Sequence, residues 1–505
     1  MVEHRSPKPR AVGSSPSTPA RPSSQTGAAT PRQSLALGLT LAVLAMLPFF
    51  VSNYPQQGDY ASHLARYHVM VAGAGSADLA RHYLFEWQLG GNLGVDLLVA
   101  ALAPLLGLER AAWLISALIP GVTGLGLVAA EWTLRRRIGI GAVLAFATIW
   151  SPALSMGFAN FCLALALALL GFALWVRLEG KAWRWAVMLP WGLATWLCHL
   201  AGWGVLGVLV AGYEFSRAKS WRSATACWPL APPFLLLALG SGGGTALAEY
   251  GQPLLSYKLG IWIKALRDRV FMLDFLTPLL LILAMLMAAR RGRFDMRLGW
   301  AALALAGLTL LLPRHLAGGD YADYRLVAVA LMVGALAIDW APPRWLLVGA
   351  SALFLVRLAA TTLAWQAESR ELDAKLAVLD QLPKGARVAG VVAVDETRWA
   401  LDPFEHAPSY AALKRDALVN SHFARDGFHL LRLRSASLEF TDPSQRLLLA
   451  PGTAPDLSAF APAREADYLW YLGGAEPSAL PAGAVVVARA PGSLLLRLAS
   501  SGKPN

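Results

Sequence analysis

The sequence is poor in charge: only 15% of its 505 residues are Asp, Glu, Lys or Arg, against about 25% in ordinary soluble domains. A soluble chain this long would form roughly three domains, and so few charges cannot cover their surfaces. Cysteine is scarce too. Cys162, Cys198 and Cys227 all sit in apolar stretches, so no disulfide framework is indicated. There is no Cys/His metal spacing, no nucleophile elbow and no helix-pair or propeller repeat. The glycine run 242–244 lacks the strand–helix context of a phosphate-binding loop. What abounds is apolar: 56% of residues are hydrophobic, and the mean hydropathy is +0.48. The sequence predicts a mainly α, polytopic transmembrane protein.

Residues 1–33 are rich in Ser, Pro, Thr, Arg and Ala. They cannot bury enough surface to offset their ordering entropy and read as a disordered cytoplasmic tail. The apolar run 34–53 follows a long polar stretch without a cleavage context, which argues for an uncleaved first span over a secretory signal. Ten more runs follow, at 111–131, 139–156, 159–177, 184–199, 200–216, 223–240, 271–289, 298–313, 325–340 and 345–364, making about 11 spans. The segment 94–107 is too short to cross a core of roughly 30 Å and reads as an interfacial or re-entrant helix.

The formal net charge of +12 tests this count. With the tail inside and 94–107 not crossing, the basic clusters at 135–137, 177–184, 217–222 and 290–297, with Arg344, all fall on the inner side, as the positive-inside rule requires. The tail carries +4 and the inner loops +12, while the chain from 365 onward carries −1 and the remainder −3. The basicity is an orientation signal, and no nucleic-acid partner is expected. The N-terminus is expected to be cytoplasmic and the C-terminus extracytoplasmic. The expected organisation is a tail 1–33, a helical membrane domain 34–364 with a long first outer loop 54–110, and a small extracytoplasmic α/β domain 365–505. In that last region 365–382 has helical spacing, 386–394 and 466–474 read as strands, and 484–499 reads as a hairpin turning at Pro491-Gly492.

Candidate chemistry gathers in two outer loops. Asp59, His63, Arg66 and Tyr67 occur at i, i+4, i+7 and i+8, on one face if the segment is helical. The Asp and His could share a divalent ion, or the Asp could act as an oriented base. An amphipathic helix facing headgroups is the other reading. The segment 314–325 collects Arg314, His315, Asp320, Asp323 and Arg325. Guanidinium groups there suit phosphate recognition; the alternative is a solvated loop with Arg325 snorkelling. His199 lies between two apolar runs, as a functional group at membrane depth or a structural hydrogen-bonding one, and Asn160 is a helix cap or a site residue. Lys258, Lys264, Arg267 and Arg269 are expected to meet anionic headgroups. The acids of 395–408 and His406 read as surface residues.

The arrangement resembles the GT-C glycosyltransferase superfamily. The resemblance is carried by GDYASHLARY, placed in a long loop after the first span, and by the soluble region after Trp365. It departs from the family pattern in one respect: the usual loop motif has two acids close together, whereas here Asp59 is followed by Tyr60 and then His63. The segment is also similar to a group of bacterial membrane proteins of unassigned function with Asp and His in this loop. The resemblance implies transfer of a hexosyl or pentosyl group from a polyprenyl-phosphate donor to an envelope glycan, lipid or protein, at the outer face of a bacterial plasma membrane. Asp59 would be the general base, and His63 would orient it or bind a divalent cation. Arg314 and Arg325 would hold the lipid phosphate, and Arg66, His199, His315, Asp320 and Asp323 would complete substrate binding. Two other classes stay open: a lipid or glycan transporter or flippase, and a non-catalytic membrane component of envelope assembly. Intramembrane charge is sparse, with Glu131 and Arg357 the main cases.

Overall fold

The structure is a computed structural model, which describes residues 29–239, 248–316, 319–395, 397–424, 429–434, 440, 447–449 and 453–499. Most of the expected tail and the 242–244 glycine run lie outside the described residues. The chain is mainly helical, at 62%, with a few strands.

All eleven apolar runs form helical structure where described. Helix α1 spans Pro31–Leu44 and starts earlier than expected, inside the segment assigned to the tail. The cause is a capping box, in which Thr30 and Gln33 each accept the other's backbone N–H at 3.2 Å, ahead of Pro31. Helix α2 (Tyr60–Ala72) lies in the first long loop. Helix α3 (Gly94–Leu106) is about 20 Å long, short of a crossing. Helices α4 (Leu108–Arg135) and α5 (Ala159–Arg177) follow, then α6 (Arg184–Cys198) and α7 (Leu200–Ala218). The second half contains α8 (Phe271–Arg290), α9 (Met296–Leu311), α10 (Tyr324–Leu336) and α11 (Arg344–Leu376). Among the described residues, four helices are long and apolar enough to cross a membrane: α4, α5, α8 and the one that begins at Arg344.

One expectation is corrected. The run 139–156 is not one helix but a short helix Ile140–Ala145, a 3-10 turn Phe146–Thr148 and a second short helix Pro152–Met156. Pro152 has no N–H to continue the ladder, so the chain breaks there. The helical spacing expected from 365 is observed, continuous with the run before it. Helix α11 runs straight through this position for 33 residues, about 50 Å. Trp365 itself is fully buried, packed edge-on against Phe49 and Trp150 at 4.9 and 5.1 Å.

The described strands are β1 (Tyr83–Phe85), β2 (Arg387–Asp395), β3 (Leu418–Val419), β4 (Leu431–Leu433), β5 (Leu447–Leu449), β6 (Tyr468–Leu472), β7 (Val485–Ala490) and β8 (Ser493–Arg497). The larger sheet has the order β3-β2-β6-β8-β7, with β5 also on β2. Strands β3, β5 and β6 run parallel to β2, and β7–β8 is the hairpin expected at Pro491-Gly492. Strands β1 and β4 pair antiparallel, so the first long loop is stitched to the C-terminal region. Val69, Leu79 and Tyr83 share one apolar cluster with Ala389, Leu418 and Leu431.

At the far end of α4, Arg135 pairs with Glu131 and, at 3.0 Å, with Asp295. Arg137 meets Asp339 at 2.6 Å. These contacts compensate the in-span Glu131 and hold the basic cluster against α9.

Candidate active site

The break in the 139–156 run builds one wall of the site. Its last carbonyls would be left without partners, and two of them accept from the loop before α2. Gly58 donates to Ser155 O at 3.1 Å and Asp59 to Met156 O at 2.8 Å. Asp59 stands at the start of α2, yet its carboxylate makes no capping bond to that helix. The side chain is therefore available for other work. Gly157 supports it closely, with φ +96°, and a Cβ there would lie 3.1 Å from both Cβ and N of Asp59. Gly157→Ala should cost on the order of 1–2 kcal/mol from left-handed strain and displace Asp59. Thermal unfolding and turnover together check this; an alanine tolerated in both would show that the contact is slack.

One turn along stands His63, whose Nδ1 is buried without a hydrogen-bond partner among the described residues. Burial, then Arg66, holds His63 well below the usual histidine range, so it is neutral. Its ring lies 5.3 Å from Phe423, which also meets His406 at 5.1 Å and His429 at 5.6 Å. His406 Nε2 is 3.6 Å from Asp59 Oδ1. The expectation that His406 is a surface residue is thus overturned: it is 5% exposed. Burial, with the carboxylates of Glu405 and Asp320, pushes the Asp59 carboxyl up to about 8, against the pull of Arg325 and Arg66.

Arg325, one residue into α10, forms the other side. Its Nη1 is 2.9 Å from His199 Nε2, and its guanidinium lies 4.0 Å over Phe158. Among the described residues no carboxylate comes within ion-pairing distance of Arg325, and its Nε has no partner. His199 occupies the extended link between α6 and α7, where its Nδ1 accepts from Ala201 N–H at 3.0 Å. A neutral imidazole has one lone pair and cannot accept from both Ala201 and Arg325. The guanidinium therefore keeps donor capacity for an anion. Arg325 thus touches His199 and lies within electrostatic reach of Asp59, one turn before His63.

Other expected site residues are engaged elsewhere. Arg66 is buried against the wholly buried Asp96 at 2.8 Å and ties α2 to α3. Asn160 accepts from Val95 N–H at 2.6 Å, so it caps α3 and not its own helix. Asp323 is fully buried, accepts from Lys258 Nζ at 2.6 Å and from Tyr257 OH at 3.1 Å, and starts α10. Arg314 grips Asp320 with two bonds, at 2.9 and 3.1 Å, with His315 Nδ1 3.4 Å away. That group is partly exposed, and the Asp320 charge reaches Asp59. The headgroup reading of Lys258, Arg267 and Arg269 is corrected too, while Lys264 is exposed. Lys258 is buried, Arg269 pairs with Glu368 at 2.7 Å, and Arg267 donates to the Trp399 and Arg398 carbonyls.

Among the described residues no group of three or more His, Cys, Asp or Glu is arranged to hold a metal ion. An open depression of about 410 Å³, lined by His68, Leu106, Gly107, Leu108, Glu109, Arg110 and Leu413, contains none of the Asp59 group.

No protein-family model and no curated protein matches the chain. Solved structures do, two of them of the same enzyme. One is ArnT from Cupriavidus metallidurans in the apo state, at 15% identity and a TM-score of 0.50, covering 93% of this chain and 99% of that one. The other is ArnT from the same organism bound to undecaprenyl phosphate, at 13% identity and a TM-score of 0.49, covering 93% and 98%. ArnT is a GT-C glycosyltransferase. At such identity the likeness is one of fold, and the fold is that of a polytopic integral membrane protein.

Proposed function

We propose that this protein is a membrane glycosyltransferase of the GT-C type that moves a sugar from a polyprenyl-phosphate donor to an envelope glycan, lipid or protein. The observation that carries the reading is the pairing of a carboxyl free of capping duty, Asp59, with a guanidinium that has no carboxylate partner among the described residues, Arg325. Sugar transfer needs both functions. An acceptor hydroxyl attacks the anomeric carbon, its proton passes to Asp59, and the bond from the sugar to the phosphate oxygen breaks. Negative charge develops on the departing polyprenyl phosphate, where Arg325 stabilises it. Arg314, already held by Asp320, lies at the rim and aids approach of the anion.

In this reading the chain crosses the plasma membrane of a bacterium eleven times, with a cytoplasmic N-terminus. Residues 34–364 are the membrane domain, and the region from 365 is extracytoplasmic with the site. The one-sided placement of the basic clusters supports this orientation.

The test is reconstitution of the purified chain in proteoliposomes with a hexosyl and, separately, a pentosyl polyprenyl phosphate. Membranes of a deletion strain supply the acceptor. The expected result is labelled sugar in the acceptor fraction with stoichiometric release of polyprenyl phosphate. Movement of intact donor between leaflets without release would overturn the reading in favour of a flippase.

A further inference from the structure

We infer that His406 is the positioning residue for Asp59, delivered from the C-terminal region to hold the carboxylate toward the acceptor. This rests on the transferase reading above and assigns to His406 the orienting part expected of His63.

The geometry favours His406 on three counts. Its Nε2 faces Asp59 Oδ1 at 3.6 Å, whereas among the described residues His63 makes no ion pair with Asp59. Contacts of this kind are often long before substrate binds and tighten in the complex. The His406 side chain is also the deeper of the two, 7% exposed against 19% for Asp59, which leaves part of the carboxyl open to a substrate. The backbone carrying His406 is pinned as well. Its carbonyl accepts from Ser409 N–H at 3.0 Å. Ser409 Oγ reaches Ser421 O at 2.6 Å and Ser62 Oγ at 3.0 Å, and Ser62 belongs to α2, the helix that Asp59 begins. Three small hydroxyl side chains thus clamp the segment bearing the imidazole to the helix bearing the carboxylate. Phe423 packs on the ring and limits its rotation.

The groups facing Asp59 come from several elements. Glu405 and Asp320 oppose its ionisation, Arg325 and Arg66 favour it, and burial opposes it most. His63 and His429 are the other histidines around Phe423. An N–H from His406 to the carboxylate favours the charged form, which is the form that takes the acceptor proton.

His406→Ala and His406→Gln test this. His406→Ala should lower kcat about a hundredfold, leave KM within about threefold, and move the acid limb of the pH–rate profile to higher pH by about one unit. His406→Gln keeps a donor N–H that does not titrate, and should recover part of kcat and most of the limb position. A second readout needs no activity. Thermal unfolding of the wild type should lose stability as pH rises through the Asp59 titration, His406→Ala should move that loss to higher pH, and Asp59→Asn should make His406→Ala silent. Sugar transfer that depends on Asp59 but keeps its pH limb in both His406 variants would overturn the inference and leave the transferase reading intact. Coupled unfolding profiles without any sugar transfer would overturn the transferase reading and leave the Asp59–His406 pairing intact.

Discussion

Asp59→Asn should lower sugar transfer about a thousandfold, the range expected when a general base is removed, with the protein still inserted and folded. Asparagine has the same size, and Asp59 makes no capping bond that α2 would lose. The wild type should show an acid limb near its carboxyl value of about 8, because only the ionised form accepts the acceptor proton. The sign for stability is the reverse. The folded-state value lies above the unfolded one, so the stabilising contribution is complete below about 4 and is lost as pH rises through about 8. Asp59→Asn should therefore unfold at a higher temperature than the wild type at pH values above that limb, while doing no chemistry. Loss of stability together with activity would make Asp59 a structural residue. Unchanged transfer would place the base elsewhere.

Arg357→Met should destabilise the folded chain by about 3–5 kcal/mol, the usual cost of removing one partner from a buried ion pair. Arg357 is 3% exposed. It donates to Asp274 Oδ1 at 2.7 Å, to Leu266 O at 2.9 Å and to Trp150 O at 3.3 Å. The other Asp274 oxygen accepts from Trp399 Nε1 at 2.8 Å and Asp268 N–H at 2.7 Å. Methionine preserves much of the volume and leaves the Asp274 charge uncompensated. Adding Asp274→Asn should restore most of the loss, since the amide oxygen can still accept one of those bonds and no charge remains. Unfolding midpoints of the two variants decide the matter; a single-variant loss below about 1 kcal/mol would mean that water already reaches the pair. Turnover should fall as well, because Trp399 anchors the segment that leads to His406.

Much of the membrane architecture was legible in the residues. Each apolar run is helical where described, and α3 is as short as its 13 residues imply. The proline at 152 carried a signal for the break that the apolar count alone passed over. Part of the proposed site was legible too. Asp59 and His63 share a face because α2 forms with one turn between them, and Arg325 was one of two guanidiniums in the segment 314–325. His406 could not be found this way. Its neighbours in DPFEHAP have no spacing that marks a site, and its contact with Asp59 joins positions far apart in the chain. Asp323 and Arg325 differ for the same reason: Lys258 compensates the one, and no described carboxylate meets the other.

Insertion in a bilayer and the direction of the charge bias depend on sums over local stretches, and transfer of an apolar run from water is favourable whatever packs beside it. Those properties belong to the order of residues alone. Which buried charge keeps a partner, which carboxyl is left without a capping bond and which histidine stands beside it depend on pairings between distant segments. In a buried site an unpaired charge and a paired one differ by several kcal/mol. The folded arrangement of the C-terminal region on α2 therefore decided which side chains stand beside Asp59.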